Sequence, residues 1–349
     1  MNKLIFVGPI HIGNTPSAGD SMKNQMFLTR FGQVYERVIP IDTAGWKRRP
    51  WVLLNILFKI ANNRKAKVII SANPGSADRL ISIIKRFHFS NDIFYWVIGG
   101  SFHKMISEGR FKIGNYSFLK GVFVQGQTMV ESLNKSGLNN VVYVPNSKLI
   151  NYQGVKEKQS DGNTHFVFFS RVEEYKGCTD IIKSVELLNK EGYGEKFDVT
   201  FYGHPSRDSR YLTYFSKKME SLNNVEYKGV LNLLDDSNYD ILSSYDCMLF
   251  PTYWEGEGFP GVVIDAYIAS LPIIASDWNL NKDVIKEGQT GWIIPPHDVS
   301  ALSDKMRYVI NNHETVKEIA INCRKKAAQY DSRVVLSEEN LKKLGLIVC

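Results

Sequence analysis

Cys247-Met248-Leu249-Phe250-Pro251-Thr252-Tyr253-Trp254-Glu255-Gly256-Glu257-Gly258-Phe259-Pro260-Gly261 runs through Val262–Ser270 into Leu271-Pro272-Ile273-Ile274-Ala275-Ser276. It reads as strand, glycine-rich loop, helix and strand. The first and last pieces are short and continuously apolar, as for strands of a parallel sheet covered on both faces. A glycine-rich loop entering a helix exposes backbone N–H groups at the positive end of the helix dipole, which makes an anion site. Glu257 lies in that loop and Asp265 eight residues on, inside the helix.

Working outward, the same alternation fills the chain. Before this segment the strands are read at Leu4–Val7, Val34–Ile39, Val68–Ile70, Phe94–Val97, Gly121–Val124 and Val141–Val144, with helices such as Ser21–Phe31 and Thr128–Ser136 between them. A second series reads His165–Phe169, Val199–Tyr202, Val225–Lys228, Cys247–Phe250, Ile273–Ala275 and Gly291–Ile294. The polar stretch from Asn151 to Asn163 separates them as a linker, and a charged helical tail runs from about Asn311 to Leu346. The fold class is α/β, with two doubly wound, Rossmann-like domains facing a central cleft.

Length and charge agree with two domains. A chain of 349 residues is long for one core. Residues 1–150 hold 20 Lys and Arg against 7 Asp and Glu, a net of +13, and the remainder holds 23 against 29, a net of −6. Such a basic half suits an anionic partner, but no stacked-aromatic, helix-turn-helix or zinc-finger pattern assigns it to nucleic acid. The cysteines Cys178, Cys247, Cys323 and Cys349 form no C-x-x-C pair, which fits neither a disulfide framework nor zinc and suggests a reducing compartment. No apolar run approaches the roughly 20 residues needed to span a bilayer. The three residues before Leu4 are too few for a signal-peptide core. A soluble, cytoplasmic protein is expected.

Gly256-x-Gly258-x-x-Gly261 matches a dinucleotide fingerprint. It lies late in the chain, holds Pro260 and places an acid where a pyrophosphate would sit, which argues against a dehydrogenase. A carboxylate pair suits diols: one acid for sugar hydroxyls, the other for ribose. A structural loop with two solvated acids is the plain alternative. At the end of the first strand of the second series, Ser170-Arg171-Val172-Glu173-Glu174-Tyr175-Lys176-Gly177 brackets a short loop with two cations. Arg supplies a fork and Lys a point charge for a diphosphate, unless both simply pair with Glu173 and Glu174. No D-x-D occurs, which argues against the class that holds a divalent ion on the diphosphate.

In combination, these motifs and Gly288-Gln289-Thr290-Gly291-Trp292-Ile293-Ile294-Pro295 resemble the family-4 glycosyltransferases of GT-B fold. The match covers about 165 to 300 well and the first half loosely. The resemblance implies an acceptor-side domain over 1–155, a nucleotide-sugar domain over 156–330, and a helical tail, 331–349, packing back on the first. It gives the donor diphosphate to Arg171, Lys176 and Gly13, and the donor sugar or phosphate to Gly258, Phe259, Pro260 and Gly261. Glu257 would meet the donor sugar and Asp265 the ribose, although the family usually has Glu at the latter position. His103, after Gly99-Gly100, fits the family's histidine near the reacting sugar, with His11 as rival. Gly13 and Gly19 mark a loop after the first strand. The implied activity is retaining transfer of a hexose-type sugar from a nucleoside diphosphate, UDP before GDP, without metal or cofactor. The acceptor would be a hydroxyl of a glycan or lipid-linked glycan in cell-surface polysaccharide synthesis. A nucleotide-sugar epimerase and a non-catalytic binding subunit are the alternatives.

Residues 46–67 mix Trp46, Trp51 and an apolar helix with Lys47, Arg48, Arg49, Arg64, Lys65 and Lys67. Such a segment can lie on an anionic membrane face; an ordinary helix packed on the sheet is the alternative.

Overall fold

The computed structural model describes residues 3–11, 19–154 and 161–347. It divides into two compact units. One holds residues 1–149, Gly256–Phe259 and Tyr330–Cys349; the other holds Ile150–Glu255 and Pro260–Gln329.

The first unit is built on six parallel strands: β1 (Lys3–Gly8), β2 (Arg37–Asp42), β3 (Lys67–Ala72), β4 (Ile93–Val97), β5 (Gly121–Val124) and β6 (Val141–Tyr143). Their order is β2-β1-β3-β4-β5-β6. The order reverses beside β1, which places a switch point there. The strand expected at Val34–Ile39 begins later, at Arg37, because the first helix runs over Gly19–Val34. Phe27, Phe31 and Tyr35 continue its buried stripe, and the N–H of Tyr35 still donates to Phe31 O at 2.9 Å. Helical spacing of these rings outweighs the β-branched run that follows.

The core of this unit is aromatic. Phe27 packs on Trp96 at 4.4 Å between ring centroids, and Trp96 on Phe123 at 5.1 Å. The tail joins it: Leu336, Leu341 and Leu346 are fully buried in the cluster that holds Phe6 and Phe31. Backbone carbonyls of the tail accept from side chains of the unit. Arg30 Nε donates to Leu336 O at 3.0 Å, Lys67 Nζ to Gly345 O at 2.6 Å, and the Tyr35 hydroxyl to Leu346 O.

The second unit repeats the plan with β7 (Thr164–Phe169), β8 (Phe197–Tyr202), β9 (Val225–Tyr227), β10 (Cys247–Phe250), β11 (Ile273–Ser276) and β12 (Gly291–Ile294). These are parallel in the order β12-β11-β10-β7-β8-β9. The helix Gly261–Ile268 is buried on nearly every side, from Val263 to Ile268. Apart from Asp265 its side chains are apolar or aromatic, as a helix sealed in a core requires. Arg324 closes its C-terminal end by donating to Ile268 O at 2.6 Å, and also donates to Tyr152 O at 2.8 Å. Part of the expected linker, 155–160, lies outside the described residues. Cys178, Cys247 and Cys323 are buried, and none of them is in a disulfide among the described residues. Among the described residues no helix is long and apolar enough to cross a membrane.

Candidate functional site

The two cations read from the sequence come together at the carboxyl end of β7. Arg171 is exposed, while Lys176 ends a short 3₁₀ turn, Glu174–Lys176, and is only 4% exposed. Both lie over one indole: Lys176 Nζ is 4.6 Å from the Trp254 ring centroid and the Arg171 guanidinium carbon 5.1 Å. An aromatic face attracts a cation through its quadrupole without neutralising it. Gly177 makes this turn feasible. Its φ is +82°, and a Cβ there would collide with the carbonyl of Pro251, so both backbone conformation and space require glycine.

The loop carrying Trp254 is held from two directions. Tyr253 N donates to Tyr175 O at 2.9 Å, and the Ser276 hydroxyl donates to Thr252 O. Trp278 Nε1 donates to Trp254 O at 2.8 Å. These ties link the ends of β7, β10 and β11, so the indole is positioned by backbone rather than by chance packing.

Asp265 sits in the helix Gly261–Ile268 and is 2% exposed. The hydroxyl of Tyr239 donates to its Oδ1 at 2.6 Å. Burial first, and then the adjacent carboxylate, push the Tyr239 phenol well above its ordinary pKa, so the phenol stays a donor. Tyr239 stacks on Tyr152 at 5.4 Å, and the Tyr152 hydroxyl donates to Asp240 at 2.8 Å. Tyr239 was not singled out in the sequence; no local pattern connects it to a residue 26 positions away.

Glu257, Gly258 and Phe259 belong with the first unit. A Cβ at Gly100 would collide with the carbonyl of Glu257, and one at Gly258 would lie 3.0 Å from the Gly99 Cα. The Gly99-Gly100 loop and the Glu257-Gly258 loop therefore meet backbone to backbone, which glycine alone permits. The carboxylate-bearing residue Glu257 is 7% exposed. His103 stands in the first turn of the helix Phe102–Ser107, immediately after that glycine pair, and is half-buried. The N–H of Phe259 donates to Gln125 Oε1 at 3.4 Å, and Asn146 Nδ2 donates to Phe259 O at 3.1 Å. Phe259 is thus engaged by the polar residues that follow β5 and β6, while its ring meets Tyr330 edge-on at 5.2 Å. Pro260 caps the helix that Gly261 starts. His11 is half-buried with φ +55°; Gly19 opens the first helix. Gly13 lies outside the described residues.

A hollow of about 660 Å³ in the second unit lies at the opposite, amino-terminal edge of the sheet, near His165, Asp198, Lys228 and Tyr245. It holds none of the residues read from the sequence as a site. Open α/β sheets present helix N-termini and loops at the carboxyl edge, where Arg171, Lys176 and Trp254 follow their strands.

Residues 153–326 match the family described as Glycosyl transferases group 1. The matched segment is similar to that family. It contains Arg171, Lys176, Trp254, Glu257 and Asp265. The chain is similar to the poly(ribitol-phosphate) alpha-N-acetylglucosaminyltransferase of Staphylococcus aureus, 22% identical over 317 residues that cover 88% of this chain and 61% of that protein. It is also similar to the Staphylococcus aureus capsular polysaccharide biosynthesis glycosyltransferase CapM, 26% identical over 51% of this chain and 45% of CapM. The chain thus matches less than two thirds of the length of these relatives. Among solved structures, Anabaena HepE in complex with UDP matches with a TM-score of 0.71 at 14% identity, covering 99% of this chain and 100% of HepE. The lipopolysaccharide outer core galactosyltransferase WaaB matches with a TM-score of 0.72 at 15% identity, covering 99% and 100%. The chain therefore shares the GT-B fold of these structures.

Proposed function

We propose that the chain is a retaining glycosyltransferase of cell-surface polysaccharide synthesis. It moves a hexose-type sugar from a nucleoside diphosphate, UDP before GDP, to a hydroxyl of a glycan or lipid-linked glycan. The observation that carries this is the Arg171–Lys176 pair over Trp254, within the segment similar to the group 1 glycosyl transferases. HepE's complex with UDP and the acceptors in the relatives' names support it by likeness.

In this reading the diphosphate lies against Arg171, Lys176 and the backbone N–H groups beside Gly177. Negative charge builds on the leaving oxygen as the glycosidic bond breaks, and a fixed cation pair stabilises that change most. Lys176 is buried, so its field is less screened by water. Glu257 takes the sugar hydroxyls, His103 borders the reacting sugar, and Asp265 takes the ribose. The Tyr239 hydroxyl occupies one oxygen of Asp265, holding the shorter acid in a single orientation. Donor charge is met by side chains in this scheme, and no divalent ion is assigned.

The helix Trp51–Ala61 buries Val52, Ile56 and Ile60 but exposes Trp51 at 60%, Leu54 at 68% and Phe58 at 64%. Those three residues share one face, and Arg48, Arg64 and Lys65 are exposed nearby. We assign this face to an anionic membrane surface, where a lipid-linked acceptor would be met.

The test is a screen of UDP- and GDP-sugars by thermal shift and by sugar release with the wild-type protein. Stabilisation by one nucleoside diphosphate, lost in Lys176→Ala, supports the reading. No response to any of them overturns it. Conversion of a donor to its epimer without acceptor would favour the epimerase alternative.

A further inference from the structure

The first helix carries a buried charge that the proposed chemistry does not use. Lys23 is 8% exposed, and its amine has no hydrogen-bond partner among the described residues. It shares a stripe with Phe27 and Phe31, four and eight residues on, and its Nζ lies 5.3 Å from the Phe27 ring centroid. Phe27 and Phe31 pack on Phe6 and Trp96. A methionine or leucine would suit that stripe. Burying an ammonium without a partner is costly, and the residue lies near the positive end of a 16-residue helix, where a cation is further disfavoured. Burial lowers the Lys23 pKa to about 7.

The neighbours fix where this amine is. Asn24 Nδ2 donates to Pro9 O at 3.0 Å, Gln25 Nε2 donates to Ile10 O at 2.9 Å, and Ser71 Oγ donates to Asn24 Oδ1 at 2.6 Å. Asn24 and Gln25 thus bind the segment leaving β1, and Ser71 belongs to the adjacent β3. Lys23 therefore stands at the carboxyl edge of the first sheet beside its switch point, where doubly wound sheets take ligands.

We propose that Lys23 is a binding residue for a phosphate group presented at the carboxyl edge of the first unit's sheet. A phosphate oxygen supplies the hydrogen-bond acceptor and negative charge that the protein withholds, and the helix start adds to the same field. The ligand is the diphosphate of the donor or a phosphate of the acceptor. Only that choice rests on the transferase reading.

Thermal unfolding with millimolar inorganic phosphate tests the site in four proteins: wild type, Lys23→Met, Arg171→Ala/Lys176→Met, and the three substitutions together. Lys23→Met removes the charge at similar volume, so its midpoint without phosphate should rise. Phosphate should raise the midpoint of Arg171→Ala/Lys176→Met by at least about 2 °C and leave the triple variant unmoved. Equal responses in those two proteins, or none in either, would overturn the proposal. If the methionine variants fail to fold, Lys23→Gln takes their place with the same expectation. UDP then separates the sources. Loss of most of its shift in Lys23→Met identifies the donor diphosphate, and retention identifies an acceptor phosphate. If UDP moves none of the proteins while the phosphate response still depends on Lys23, the transferase reading fails and the anion site stands.

Discussion

Tyr239 donates its hydroxyl to Asp265 at 2.6 Å, and both residues are buried, at 5% and 2% exposure. The bond joins the segment before β10 to the middle of the helix that follows it. A hydrogen bond to a charged acceptor contributes about 1.5–3 kcal/mol, and losing the donor leaves a buried carboxylate less satisfied. Tyr239→Phe should therefore lower unfolding free energy by about 1–3 kcal/mol in denaturant titration. It should also raise the donor KM more than it lowers kcat. A stable variant with unchanged KM would remove Asp265 from the ribose site.

Trp254 tests whether an aromatic platform positions the cations. Cation–π contacts contribute about 0.5–2 kcal/mol, so Trp254→Leu should raise the donor KM on the order of 2- to 30-fold. Trp254→Phe retains a quadrupole and should recover part of the loss. Equal defects in both variants would mean that the indole acts only by filling space.

Lys176→Ala or Glu257→Ala should lower turnover more than tenfold, about 1.4 kcal/mol of transition-state stabilisation. Steady-state rates with the donor found by the screen provide the check. Near-wild-type rates in both variants would defeat the site assignment.

The exposed face of the Trp51–Ala61 helix should govern vesicle binding. Trp51→Ser/Leu54→Ser/Phe58→Ser should abolish co-sedimentation with anionic vesicles and leave soluble-donor hydrolysis unchanged. Binding by the wild type should weaken from low to high salt, because exposed basic residues are screened. Equal sedimentation of both proteins would rule out this face.

Lys23 also gives a pH signature. Its folded pKa is lowered to about 7 from 10.5, so between those values the unfolded chain binds more protons. Stability then rises with pH through that window. Chemical denaturation of wild type and Lys23→Met at pH 7 and pH 10, without phosphate, should show the stability difference narrowing as pH rises. A constant difference would mean that Lys23 stays charged throughout.

The α/β alternation was legible because parallel strands buried on both faces leave continuous apolar runs, and each of the twelve expected strands has a counterpart among the described residues. Val34–Ile39 was displaced because two periodicities overlap there, and rings packing on Trp96 decide between them. Arg171, Lys176, Glu257 and Asp265 stood out because charges beside glycines at strand ends are a local pattern. Tyr239, Trp254, Gln125 and Lys23 did not, since their roles depend on contacts that residue spacing does not encode. Gln125 reaches Phe259 across 134 positions, and Lys23 is unusual only because the fold buries it. The stretch from Cys247 to Ser276 determined the architecture by itself, through periodicity and glycine placement. Only the tertiary structure decided what Asp265 touches and how two cations share one indole, because those are relations between side chains brought together by packing.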